Sequence, residues 1–183
     1  GKMGISIANE CAKRGAEVIL VSSVDNETIS NNIKKIKITS TNDMFEAVKN
    51  NFKDCDFIIK AAAVSDYTPV QVFDKKVKKQ DGNLTIEFQR TQDILKYVGD
   101  NKNENQKVIG FAAETNNLIE YAKEKIVKKN LDYIVANDIS KKDIAFGSDD
   151  NEVYIIDKHD NIKKIDKSNK NNIARAIIDE ISK

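Results

Sequence analysis

Several groups of residues in this sequence carry the means to handle a polyphosphate. One is Ala61-Ala62-Ala63-Val64-Ser65-Asp66-Tyr67, where small side chains leave room beside the backbone and a carboxylate follows at once. Asp66 could hold Mg²⁺ that carries a nucleotide's phosphates, directly or through water; the plainer reading is a loop aspartate in an Asx-turn. A second is the lysine run Lys75-Lys76-Val77-Lys78-Lys79, suited to neutralising phosphates on a flap, although most lysine runs are solvated faces. A third is Gly1-Lys2-Met3-Gly4, which reads as the tail of a glycine-rich phosphate loop at a helix N-terminus or as a tight turn. Lys125 and Lys129, one helical turn apart and in line with Tyr121, could reach phosphates over a sheet edge or could be ordinary surface charges. Phe111 could stack on a base or fill the core. Asn137 and Asp138 could meet a substrate or simply end a strand. His159 falls in a turn and receives no role. No Ser-His-Asp grouping and no metal-ligand cluster is visible, which argues against hydrolysis by a side-chain nucleophile.

The elements that must position these residues follow from hydrophobic pattern. Asp56 to Ala63 begins as an apolar strand, read as buried, and its alanines fall at the carboxyl end, where open α/β sheets bind ligands. Residues 1 to 14 form a helix with a small-residue face of Gly4, Ala8, Cys11 and Ala12, closed by Gly15. A buried strand follows over Glu17 to Ser22. Helix, glycine, strand is the second half of a βαβ unit, so a first strand is expected before Gly1. Ser23 to Asn32 reads as a polar loop and Ile36 to Thr39 as a short strand. Ser40 to Asp43 supplies N-cap residue types for a helix through about Phe52. Leu84 to Phe88 alternates as a half-exposed strand does, and Thr91 caps a helix starting Gln92-Asp93-Ile94-Leu95. Val108 to Ala113 and Leu131 to Ala136 are buried strands around a helix from about Asn117 to Lys129, with Leu118, Ala122 and Ile126 on one stripe. After a loop containing Gly147, Glu152 to Ile156 and Ile162 to Ile165 form a hairpin. A helix over Ser168 to Lys183 turns Ile173, Ile177 and Ile181 to the core.

Alternating strands and helices predict an α/β fold of the Rossmann-like three-layer kind: a mostly parallel sheet, helices on both faces, right-handed crossovers and a C-terminal β-hairpin at one edge. The 183 residues make one domain, expected to lack its N-terminal strand and glycine loop. Thirty basic residues stand against 29 acidic ones, so nothing global calls for nucleic acid. Two cysteines without metal spacing read as free thiols of a reducing, cytoplasmic compartment. No apolar run reaches the roughly 20 residues of a membrane span, and no targeting segment is visible.

Taken in order, Gly1-Lys2-Met3-Gly4, Ala61 to Tyr67, Lys76 to Lys79, Gly110-Phe111-Ala112-Ala113-Glu114-Thr115, Lys128-Lys129-Asn130-Leu131-Asp132 and Ala136-Asn137-Asp138 resemble the motif series of phosphopantothenoylcysteine synthetases, ligases of coenzyme A biosynthesis that are often fused behind a flavin-dependent decarboxylase. The resemblance covers almost the whole chain. It implies a homodimer that joins 4′-phosphopantothenate to L-cysteine through an acyl-cytidylate, with CTP as co-substrate and Mg²⁺ as cofactor. It implies Lys76 as the catalytic flap lysine and Asp66 as the acidic position on the metal side. Nucleotide contacts are implied at Lys60, Ala61, Ala62, Asp66, Lys76, Gln92, Asp93, Ile94, Leu95, Phe111, Lys125 and Lys129. Substrate contacts are implied at Gly1, Lys2 and Asn137. Departures are small: Ser65 stands where alanine is frequent and Gln92 where proline is frequent. The family's catalytic asparagine would precede Gly1 and has no counterpart in this sequence. Two other readings fit the same residues. One is a nicotinamide-dependent oxidoreductase, which would want a full G-x-G-x-x-G and an acid after the second strand, where this chain has Ser22-Ser23. The other is a non-catalytic nucleotide-binding or dimerisation fragment.

Overall fold

The structure is a computed structural model that describes residues 1–25, 28–71, 73, 75–78, 82–114, 116–138 and 150–183. Lys79 of the lysine run, Thr115 of the Gly110–Thr115 motif and Gly147 lie outside the described residues.

The chain runs α1 (Lys2–Lys13), β1 (Val18–Ser22), β2 (Ile33–Lys37), α2 (Thr41–Asn51), β3 (Phe57–Lys60), β4 (Tyr67–Pro69), β5 (Phe88–Arg90), α3 (Ile94–Asn101), β6 (Lys107–Glu114), α4 (Leu118–Lys129), β7 (Tyr133–Asp138), β8 (Asp150–Asp157), β9 (Ile162–Asn169) and α5 (Lys170–Ile181). A five-stranded sheet has the order β3-β6-β7-β8-β9. Its β3–β6 and β6–β7 pairs are parallel, and the β8–β9 hairpin joins antiparallel to β7. The β1–β2 pair is parallel and forms a separate sheet. This is the α/β architecture expected, with the hairpin at one edge.

Strand alternation sorts the core into two faces. On β6, Val108 and Ala112 pack with Leu95 and Val98 of α3 and Ala122 and Ile126 of α4. Ile109 and Phe111 point the other way, toward Ile7 of α1 and Ile173, Ile177 and Ile181 of α5. A third cluster lays Ala8 and Ala12 of α1 on Ile33, Val18 and Leu20. The small-residue face of α1 thus allows the close approach for which its sequence suits it.

Both strands beside the break in the sheet are less covered than expected. Phe57 on β3 is 41% exposed and Ile19 on β1 is 37% exposed; each strand is the edge of its own sheet, with one hydrogen-bonded neighbour among the described residues. Gly1 lies against Val24, just past β1, and Gly4 against Ala61, just past β3, so the start of α1 spans the carboxyl ends of the two strands.

Other expectations shift for local reasons. The strand expected at Ile36 to Thr39 is at Ile33–Lys37, where it pairs with β1 along its whole length. The strand expected at Leu84 to Phe88 is at Phe88–Arg90, paired with Tyr67–Pro69, and one further backbone bond follows, from Val70 N to Glu87 O at 2.9 Å. Leu84 and Ile86 precede the paired segment and are exposed rather than half-covered. The cap of α3 is Asp93 and not Thr91: its side chain accepts from Lys96 N, while Thr91 Oγ1 donates to Ser65 O at 2.7 Å. Within the expected N-cap segment, Ser40 caps α2 and forms a capping box with Asp43.

Candidate functional site

The candidate site lies along the carboxyl ends of β3, β6 and β7. Ala61–Ala63 follow β3 as irregular chain, not as the end of the strand, and Ala62 and Ala63 are exposed. They form an open rim, where the pattern predicts the carboxyl end of a buried strand. Lys60, the last residue of β3, donates from Nζ to Ala62 O at 3.1 Å. Burial, and then the charge of Lys129, hold its ammonium below the ordinary lysine value, while Asp93 and Asp66 pull the other way. Lys129, at the end of α4, is paired to Asp93 at 3.0 Å. Burial pushes the Asp93 carboxyl up, but the Lys96 N–H and the Lys129 ammonium outweigh it and hold it below the usual range. Lys60, Asp66, Asp93 and Lys129 are thus one electrostatic group.

Ile94 and Leu95 are 3% and 6% exposed. Their side chains belong to the core, so anything they offer a ligand comes from backbone N–H groups in the first turn of α3. Gln92 is exposed beside them. Lys125, one turn before Lys129, is paired to Glu114, the last residue of β6.

Two expected contacts lie on the opposite face of the sheet. Phe111 is half-buried and packs into the α1/α5 cluster together with Met3 and Ile59. It therefore faces away from Lys60 and Lys129, because successive residues of a strand point to opposite faces. Asn137 is paired in register with Ala113 and so lies on the Phe111 side. The same side receives the start of α1, whose N-cap Gly1 makes no side-chain capping bond. The rim is therefore two-sided, with the cationic group toward α3 and α4, and with Gly1, Lys2, Phe111 and Asn137 toward α1.

Asp66 is exposed and fixed through its backbone, its carbonyl accepting from Thr91 N at 3.0 Å. Among the described residues no three His, Cys, Asp or Glu side chains gather as a metal would need. One carboxylate still fits a magnesium ion whose other ligands are phosphate oxygens and water. Lys76 is exposed on the chain between β4 and β5 and forms no ion pair among the described residues. His159 lies in the β8–β9 turn, its backbone N–H donating to Asp157, away from the rim.

Sequence reading missed a second polar centre at the other end of the sheet. Asp132 is 6% exposed and accepts from Lys102 at 2.5 Å, Lys158 at 2.9 Å and Val108 N at 2.9 Å. Burial pushes its carboxyl up, but these donors win and hold it below the ordinary value. The Leu-Asp motif that carries it is therefore architectural. Two surface depressions, lined in part by Tyr133, Asp157 and Lys163 and by Gln106, Lys107 and His159, also lie at this amino end and not at the rim.

Comparison with known proteins adds the following. The family model described as the DNA/pantothenate metabolism flavoprotein C-terminal domain matches residues 1–183. The chain is 43% identical over 183 residues to the coenzyme A biosynthesis bifunctional protein CoaBC of Bacillus subtilis, covering 100% of this chain and 45% of that protein. It is 41% identical over 180 residues to the CoaBC protein of Borreliella burgdorferi, covering 97% of this chain and 45% of that protein. The chain thus spans about half the length of the curated relatives it matches. The crystal structure of a C-terminal domain of CoaBC superposes with a TM-score of 0.82 at 37% identity, covering 99% of this chain and 81% of that one.

Proposed function

The chain belongs to the DNA/pantothenate metabolism flavoprotein C-terminal domain family, and from that premise we propose that it is a CTP-dependent ligase joining 4′-phosphopantothenate to L-cysteine. The observation that carries this reading is the two-sided rim: Lys60, Asp93 and Lys129 on one side, and the uncapped start of α1 with Asn137 on the other.

A carboxylate is a poor acyl donor and must first become a mixed anhydride. The carboxylate of phosphopantothenate attacks the α-phosphate of CTP, forming the acyl-cytidylate and releasing pyrophosphate. The cysteine amine then attacks the acyl carbon, the amide bond forms, and CMP leaves. Attack of one anion on another demands alignment and charge neutralisation more than a strong base. In this reading Lys60, Lys125, Lys129 and the first N–H groups of α3 hold the nucleotide phosphates. Gly1, Lys2 and Asn137 hold phosphopantothenate from the α1 side, with Phe111 packed beneath them. Lys76 neutralises charge that builds on the transferring phosphate. Asp66 would supply one carboxylate to a Mg²⁺ ion, which screens the triphosphate when bound.

The same reading makes the protein a homodimer. Tyr67, Val70, Phe73, Val77, Leu84, Ile86 and Phe88 are all exposed apolar side chains on the chain between β3 and α3, and a patch of that kind supports a protein contact. The break between β1 and β3 supports a domain completed by one more strand there. Fusion to a decarboxylase accords with the bifunctional relatives, and two free cysteines accord with a cytoplasmic enzyme. No helix among the described residues is long and apolar enough to cross a membrane.

The deciding experiment measures pyrophosphate release by the full-length protein given CTP, Mg²⁺ and 4′-phosphopantothenate, without cysteine. Release is expected, followed by CMP and amide formation when cysteine is added. Folded protein that releases none refutes the reading.

A further inference from the structure

We propose that Glu114 is a positioning residue that holds Lys125 in place for the nucleotide; this rests on the ligase reading above. Lys125 and Lys129 project from one face of α4, and each is tied to a carboxylate from a different element. Asp93 does this for Lys129 while also capping α3, so that carboxylate has a structural duty of its own. Glu114 is different. It ends β6, its side chain is 19% exposed against 40% for Lys125, and among the described residues its side chain has Lys125 Nζ as its one hydrogen-bond partner. The strand residue is the anchored member and the lysine the long, rotatable one. Strand alternation turns Glu114 to the same face as Val108 and Ala112, the α3/α4 side, where Lys60 and Lys129 also lie.

A free lysine side chain loses substantial rotamer freedom when it binds a phosphate. Held against Glu114, Lys125 has already lost it. The carboxylate also offsets part of the lysine's charge, so the pair adds orientation more than bulk attraction, with Lys60 left as the cation that, among the described residues, donates only to a backbone carbonyl. Removing Glu114 therefore weakens nucleotide binding through Lys125 and does not touch the chemical step.

The test measures CTP binding by calorimetry, with Mg²⁺ present, on full-length wild type and on E114Q, K125Q and the double variant. Steady-state kinetics and far-UV circular dichroism accompany it. E114Q is expected to raise the CTP Kd and KM roughly 3- to 30-fold with kcat within about twofold. The double variant should be no weaker than K125Q, since Glu114 acts only through Lys125, and E114D should recover part of the loss. Unchanged or tighter CTP binding by folded E114Q overturns the proposal, and so do single effects that multiply in the double variant. A merely structural Glu114 would lower stability or kcat and leave the coupling with Lys125 at zero. Wild type that binds no CTP at all overturns the ligase reading, and the proposal with it.

Discussion

Lys76 and Lys60 illustrate two ways a lysine can serve a phosphate. Lys60 is built into the rim, half-buried at the end of β3 and electrostatically coupled to Lys129, Asp93 and Asp66. Lys76 is exposed and unpaired among the described residues, so its removal costs the fold nothing while its charge is free for the reaction. Lys76→Gln should therefore leave thermal stability unchanged and slow turnover about 100-fold, the scale of losing one charge-stabilising donor. Pyrophosphate release assays on the full-length enzyme check this, and unaltered turnover would remove Lys76 from the mechanism.

At the scale of elements, α3 and α4 set the geometry of the cationic side. Asp93 both caps α3 and pairs with Lys129, and substitutions separate the two duties. Asp93→Ala should cost about 1 kcal/mol through the lost cap. Asp93→Asn keeps a good cap, and the exposed ion pair is itself worth little, so stability should stay within about 0.5 kcal/mol of wild type while CTP affinity falls several-fold. Urea unfolding and calorimetry measure the two effects, and equal destabilisation by both variants would show that the ion pair matters more than the cap. Gly99 sets how closely the helices meet, since a Cβ there would lie 1.9 Å from the Lys129 carbonyl oxygen. The Asn130 side chain fixes the same junction by donating to Gly99 O at 2.7 Å. Gly99→Ala should destabilise by about 2–3 kcal/mol and, by pushing α3 from the end of α4, also weaken CTP binding. A stable variant with wild-type affinity would show that the junction does not position Lys129.

For the molecule as a whole, two features decide stability and assembly. Asp132 fastens three segments at the amino end of the sheet by accepting from Lys102, Lys158 and the Val108 N–H. Because its carboxyl is held below its ordinary value of 3.8, the stability it contributes is fully present above that value and is lost as pH falls below it. Asp132→Asn should cost about 3 kcal/mol at neutral pH, leaving the Lys102 charge largely buried without its partner, and should flatten the acid limb of the stability–pH profile. Denaturant unfolding across pH 3–7 measures both effects. On the arm between β3 and α3, Phe73 is 59% and Phe88 54% exposed. If the arm is the dimer contact, Phe73→Asp with Phe88→Asp should weaken association about 100-fold or more, seen as a shift to monomer in sedimentation velocity.

Patterns with a short range were legible in the sequence. The period of Ile173, Ile177 and Ile181 placed α5, the Ser40–Asp43 box placed the start of α2, and Gly15 with its φ of +87° closed α1. The motif series alone was sufficient for the family. Other features depend on neighbours distant in sequence. Whether Phe57 and Ile19 are covered depends on which strands pair beside them, and which residue caps α3 depends on Thr91 being engaged by Ser65. That Phe111 turns away from Lys60 follows from the register of β6 between two helix layers. The pairing of Lys125 with Glu114 and of Lys129 with Asp93 could be seen only once β6, α3 and α4 were in contact. The sequence by itself determined which chemical groups are present and which helices and strands carry them. The tertiary structure decided which groups face one another, because sheet pairing and helix packing set the distances on which their charges and hydrogen bonds depend.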